Sequence, residues 1–410
     1  MRLCCAVLAL SLAGCAAGQP RIDPAGTSAA PAAPAPARYL YVWAGDLDGE
    51  DSDFLAVYDI RPESPTYGQL VSTAPVGEHH THPHHLEYEL PREGELLFAS
   101  GYRAEKMFLV DFSDAERPRV VRTLPAAEGF RFPHDVLRLP SGNVLVSYLG
   151  TDNPPSDDGG IVEYDPRGEV LRAVHSADAA AQGQVRTYAM AALPTLDRLV
   201  STSAPMQQDS TAHVVQVWRL STLELLHTIP LPDGPAPHLK ELPFEPRVMA
   251  DGRTVLLNTF GCGFYRVTGL DTPKPEVHYV SAIADRFAAC GVPVVVGRFW
   301  VMPIGKLSRL AAFDVQDPAH PVEVSRLDAD SAFRPHWLAR DPGSDRLIVG
   351  GENGGEERML MARLDPATGR LSWDETLRSA DGSLGISFRR EEWPHGRTGP
   401  AFAHAALFRP

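Results

Sequence analysis

One unit of about fifty residues recurs seven times along this chain, and that repetition limits the fold more than any single motif. Each unit has a short apolar strand, a glycine-rich or polar turn, a second strand ending near Asp, another turn and a third strand. The first reads YLYVWAG, FLAVYDI, GQLVSTAPV and the last RLIVGGE, LMARLDP, LSWDETL. Anchors at Asp59, Asp111, Asp165, Leu220, Leu270, Asp314 and Asp365 span 306 residues over six intervals, or 51 per unit. Apolar strands at this period, with turn signals between them, predict an all-β, seven-bladed β-propeller with one four-stranded sheet per blade. An irregular β-sandwich is the alternative, but it gives no reason for seven consecutive matches. The 37 prolines and 34 glycines fit many short strands and turns rather than long helices. A propeller must close its ring. The first unit has no strand before it, and AFAHAALFRP follows the seventh. The C-terminal strand is therefore expected to complete the first blade.

The chain's 410 residues, 44% of them apolar, suffice for one large all-β domain. A net charge of −14, scattered along the chain, argues against a nucleic-acid partner, because phosphate binding needs a basic face.

The N-terminus, MRLCCAVLALSLAGC, has one basic residue and an apolar run too short to span a bilayer. Its last four residues, Leu12-Ala13-Gly14-Cys15, resemble a bacterial lipobox, in which the cysteine is lipidated after cleavage. The expectation is a signal peptide over 1–15 and a lipid on Cys15, which tethers the protein to a membrane without threading it through. Ala16 resembles outer-membrane sorting signals, giving a periplasmic, lipid-anchored protein. An ordinary signal peptide cut nearby is the alternative. Residues 16–38, rich in Ala and Pro, form a disordered tether, and the propeller occupies 39–410. Cys4 and Cys5 leave with the signal. Cys262 and Cys290 remain, free to pair in an oxidising compartment, although spacing alone does not show that they meet.

The segment EHHTHPHHLEYEL carries His79, His80, His82, His84 and His85, a third of the chain's fifteen histidines. Phase separates them. His85 lies six residues before Pro91, His134 six before Pro140, His336 six before Pro342, and His404 six before Pro410. The same slot on successive innermost strands forms a ring around a propeller's axis. With the closing strand in blade one, these histidines occupy blades seven, one, two and three. Tyr188 fills the fourth slot, six before Pro194, and Cys290 falls near the sixth. Four converging imidazoles suit a metal, with copper bound most tightly among the common divalent ions and zinc as the alternative. Four unrelated axial histidines, satisfied by water and backbone, are the bland alternative. His84 neighbours His85 but should face the other way, reaching inward only at a bulge. Asp135 and Glu87 are candidates to orient a ligating ring, and Tyr188 to donate to a metal-bound oxygen or simply fill the channel. His79, His80 and His82 fall in a loop at the channel mouth, either solvated or capturing metal on its way in. Asp157-Asp158-Gly159-Gly160 reads as an acidic turn, and Gly350–Gly355 lacks the strand–helix context of a phosphate loop.

The stretches FLAVYDIRPESPTYGQLVSTAPV, MFLVDFSDAERPRVVRTL, PHDVLRLPSGNVLVSYLG, FDVQDPAHPVEVSRL and GPAFAH resemble the selenium-binding protein/methanethiol oxidase family. The resemblance covers roughly residues 40–410 in islands. It implies a seven-bladed propeller and copper-dependent oxidation of methanethiol, with formaldehyde, hydrogen sulfide and hydrogen peroxide as products. It maps the family's histidine pair onto His84 and His85, its next inner-strand histidine onto His134, and its C-terminal one onto His404. Ala405 stands where the family often has Glu, a Trp-Leu-His-Gly-like segment has no counterpart near Leu307, and the family's cysteine-rich segment is missing. Selenium binding through those cysteines is therefore not implied.

Three readings follow. The first is an oxidoreductase using His85, His134, His336 and His404 to hold copper against a small thiol. The second is a non-catalytic copper- or selenium-binding or interaction propeller. The third, a lactonase-type hydrolase, calls for acidic axial residues where these slots carry histidine.

Overall fold

The computed structural model describes residues 35–127, 129–151, 157–206, 211–351 and 357–410. The signal segment, Cys15, the tether as far as residue 34 and Glu352–Gly355 lie outside the described residues. Seven antiparallel sheets follow one another around an axis, as the repeat predicts. Blade one joins both ends of the domain, in the order Ala401–Arg409, Tyr39–Asp46, Phe54–Asp59, Leu70–Pro75. The closing strand pairs with Tyr39–Asp46 from Tyr39↔Arg409 to Asp46↔Ala401.

Strand burial follows position in the blade. The second strands, such as Tyr39–Asp46 and Val144–Thr151, are buried at every residue, because neighbouring blades cover both their faces. Outermost strands alternate, as in Val322–Asp328, with one face toward solvent. Among the described residues the only helical turns are short 3-10 turns, and no helix is long and apolar enough to cross a membrane.

A buried ion pair reinforces closure. Arg346 donates to Asp341 at 2.7 Å and to the carbonyl of Ala37 at 2.9 Å, and also to the Ile60 carbonyl. Asp341 accepts the Ala37 N–H at 3.0 Å. Blade seven thus grips the segment that enters blade one. Ala37 falls in the stretch assigned by composition to the tether, yet it is buried and hydrogen-bonded. With both partners hidden, loss of either would strand a charge, which costs about 3–5 kcal/mol.

The inner strands of blades one to five and seven share one irregularity. Each inserts an extra residue near its N-terminal end, at Ala403/Ala405, Pro83/Leu86, Pro133/Val136, Thr187/Met190, Pro243/Pro246 and Pro335/Trp337. Such a bulge re-aims a side chain and frees a backbone N–H. Hydroxyls on the facing strand take up that N–H in three blades: His85 N–H to Ser100 Oγ at 3.0 Å, Asp135 N–H to Ser147 Oγ at 3.0 Å, and Ala189 N–H to Thr202 Oγ1 at 3.3 Å. Two of these hydroxyls also donate to the next blade, Ser147 to the Tyr188 carbonyl at 2.7 Å and Thr202 to the Phe244 carbonyl at 2.6 Å. The bulges are therefore locked in place and to each other.

Candidate metal centre

The bulges decide which side chains reach the axis. In register, Pro83-His84-His85-Leu86 matches Pro133-His134-Asp135-Val136, so His84 shares the slot of His134 and His85 shares that of Asp135. The count of six residues to proline mis-phases blade two by one position, because one more residue separates its bulge from Pro91. His84 consequently moves from a supporting position to the inner ring, and the bulge lets His85 turn inward as well.

The slot residues make a continuous circle of rings. Centroid separations run His336–His404 5.3 Å, His404–His84 4.0 Å, His84–His134 4.7 Å, His134–Tyr188 3.9 Å, Tyr188–Phe244 4.4 Å and Phe244–His336 6.2 Å. Blade six contributes no ring. Its Gly291 backbone lies against His336, and a Cβ there would sit 2.3 Å from the His336 carbonyl oxygen. Nearby, Cys290 is joined to Cys262 in a buried disulfide that ties blade five to blade six.

Nitrogens from His84, His85 and His134 all lie within 4.8 Å of one another, and all three side chains are buried. The His84 and His134 Nε2 atoms are 3.0 Å apart. That spacing suits adjacent ligands of one ion whose bonds are about 2.0–2.1 Å long. His134 Nδ1 is 3.0 Å from the Tyr188 carbonyl, which fixes the proton on Nδ1 and leaves the Nε2 lone pair facing His84. The buried Nδ1 of His84, both ring nitrogens of His85 and Nδ1 of His404 have no hydrogen-bond partner. Buried polar atoms are ordinarily paired, so this donor set fits a cation. Neither His404 nor His336 belongs to this tight group: His404 packs on His84, and His336 is one ring further away. Burial first, and then repulsion from neighbouring charges, holds His84, His85, His134 and His404 well below the usual imidazole range. They are neutral at pH 7, the form that ligates metal.

The flanking residues divide. Asp135 Oδ1 lies 3.6 Å from His85 Nδ1, and its other oxygen accepts the Met190 N–H at 2.8 Å. It therefore lies beside His85, although it follows His134 in the chain. Burial pushes its carboxyl above the usual range. Glu87, expected as a candidate to orient a ring, is instead taken up by Arg138 at 2.6 and 2.7 Å and by the Phe98 N–H at 2.9 Å. Tyr188 lines the channel beside His134.

The sequence profile of the family described as 56kDa selenium binding protein matches residues 21–224. The chain belongs to the selenium-binding protein/methanethiol oxidase family. It is 27% identical over 140 residues to a methanethiol oxidase of Ruegeria pomeroyi, covering 32% of this chain and 31% of that one. To a methanethiol oxidase of Hyphomicrobium sp. it is 27% identical over 139 residues, covering 33% and 31%. The matched segment thus spans under a third of each relative's length. In fold it is similar to a hypothetical selenium-binding protein from Sulfolobus tokodaii, with TM-score 0.72 and 15% identity over 91% of this chain and 94% of that one. It is also similar to a periplasmic gluconolactonase of Pseudomonas aeruginosa, with TM-score 0.64 and 14% identity over 91% and 99%.

In this family member a second tier lies beneath the ring and was missed in the sequence. Trp337 stands edge-on to His85 at 5.0 Å and stacks on Tyr88 at 5.3 Å. Tyr88 donates to Glu245 at 3.0 Å, and Arg247 pairs with Glu245 at 2.9 Å. The signal was present: Pro243-Phe244-Glu245 repeats the Pro133-His134-Asp135 pattern, with an acid after the slot residue. Beyond this tier the channel opens at its other end into a cavity of 970 Å³ lined by all seven inner strands, among them Arg92, Arg247 and Arg340.

Proposed function

We propose that this protein is a copper-dependent oxidoreductase that converts a small thiol as methanethiol oxidase does: methanethiol, O2 and water yield formaldehyde, hydrogen sulfide and hydrogen peroxide. The observation that carries this reading is the buried, neutral group of His84, His85 and His134, backed by His404, in a chain with methanethiol oxidases among its relatives. A bound copper would supply one-electron chemistry and a lowered thiol pKa. His84, His85, His134 and His404 would hold it through ring nitrogens, with His336 beside them. The Asp135 carboxylate lies 3.6 Å from His85 Nδ1, where its charge faces that ring. Across the channel, Tyr188, Phe244 and Phe260 present apolar faces that suit a methyl group and exclude water.

The full chain is expected to carry stoichiometric copper and to form all three products from methanethiol. Copper without turnover would leave a metal-binding propeller, the second reading. Zinc alone would sink the redox chemistry. Selenium capture by a free thiol has little support among the described residues, because Cys262 and Cys290 are joined. We further propose a periplasmic protein anchored by lipid on Cys15, with Ala16 directing it to the outer membrane; incorporation of labelled palmitate into wild type but not Cys15→Ala checks the anchor.

A further inference from the structure

The loop ahead of blade two points to a route by which metal reaches the buried rings. His79 and His80 are exposed at its outer end, their rings 5.4 Å apart, and His79 Nδ1 lies 3.1 Å from the Gly49 carbonyl. The His80 ring packs against Gly49, in a loop whose exposed acids are Asp48, Glu50 and Asp51. Acidic side chains at a channel mouth raise the local concentration of cations. Two residues further on, His82 is half-buried and stacks on His84 with ring planes at 23° and centroids 5.6 Å apart. Its ring also meets Tyr102 and Phe402. His82 is thus the step between exposed imidazoles and the sealed group.

The backbone is built to hold it there. His80 and His82 both have φ of 53°, a left-handed conformation that costs a side chain about 1–2 kcal/mol and that glycine adopts freely. Thr81 between them is fully buried, with its N–H bonded to Asp53 at 2.8 Å and its hydroxyl to the same oxygen at 2.5 Å. An anchored residue flanked by two left-handed histidines is strain kept where imidazole is wanted.

We propose that His82 is a transfer ligand: it receives a metal ion captured by His79 and His80 at the acidic mouth and hands it to His84. This rests on the metal centre proposed above. The test loads metal-free full-length protein with Cu²⁺ and follows the approach to saturation and the final copper content. His82→Asn keeps a side chain that tolerates the left-handed backbone, and His82→Phe keeps the ring contacts. Both are expected to load about tenfold more slowly than wild type, the effect of one lost stabilising contact in the rate-limiting step, and to reach the same final copper content with an unchanged melting temperature. A loading rate indistinguishable from wild type in His82→Phe overturns the transfer role. A lower final copper content in both variants also overturns it, because His82 would then be a resident ligand. Failure of wild type itself to take up copper removes the metal centre, an outcome readily told apart from the other two.

Discussion

A His134→Ala/His404→Ala chain is expected to fold, yet to retain almost no copper. His134 Nε2 faces His84 Nε2 at 3.0 Å, and His404 packs on His84 from the other side, so both substitutions strip the same centre. Apparent binding energies of about 10–16 kcal/mol in four-ligand zinc sites imply about 3 kcal/mol per ligand, or roughly 10⁴-fold in affinity for two. Folding should suffer less. His404→Ala removes a buried ring whose Nδ1 is already unpaired, which offsets part of the cavity left behind, whereas His134→Ala also gives up the contact with the Tyr188 carbonyl. Metal analysis of purified protein, beside circular dichroism, reads both effects. His336→Ala serves as the contrast: its ring packs on His404 rather than on His84, one step further from the group, so it should lose less copper than His84→Ala. Undiminished copper in the double variant would mean that the axial histidines are not the site.

Deleting residues 401–410 is expected to abolish cooperative folding. The lost strand supplies the innermost position of blade one and pairs with Tyr39–Asp46 along its length. It buries Ala401, Ala403, Ala405, Ala406, Leu407 and Phe408. Leu and Phe are each worth about 1.5–3 kcal/mol when buried, and each backbone hydrogen bond adds about 0.5–1.5 kcal/mol. The sum, on the order of 10 kcal/mol, rivals the entire stability of a typical domain, about 5–15 kcal/mol. The Arg346–Asp341 clamp cannot replace it, because it holds only Ala37 and Ile60, where the chain enters blade one. A truncated chain that melts cooperatively near the full-length temperature would show that the ring closes by other means.

Much of the architecture was legible because strand propensity and turn chemistry repeat locally. FLAVYDI, MFLVDFS and GIVEYDP fall on second-unit strands at Phe54–Asp59, Lys106–Asp111 and Gly160–Tyr164. The closing strand was legible from simple counting, since one blade lacked a strand and one strand lacked a blade. The centre was only partly legible. His134 and His404 sit on the ring, but proline spacing exchanged the positions of His84 and His85. Spacing from a loop residue is sound only while every loop has the same length, and blade two breaks that condition. Glu245, Arg247 and Tyr88 were overlooked because charged residues in a strand ordinarily face solvent, whereas these meet inside a channel.

The sequence by itself determined the repeat, the number of blades, the strand that closes them and the choice of histidine at successive inner strands. These are properties of local pattern, each written within one unit. The tertiary structure alone decided which nitrogens converge, which carboxylate supports them and that Cys262 meets Cys290. Those outcomes depend on one-residue bulges in separate inner strands, locked by hydroxyls of neighbouring strands and blades. A bulge changes no residue's propensity, but it turns a side chain from one face of a sheet to the axis.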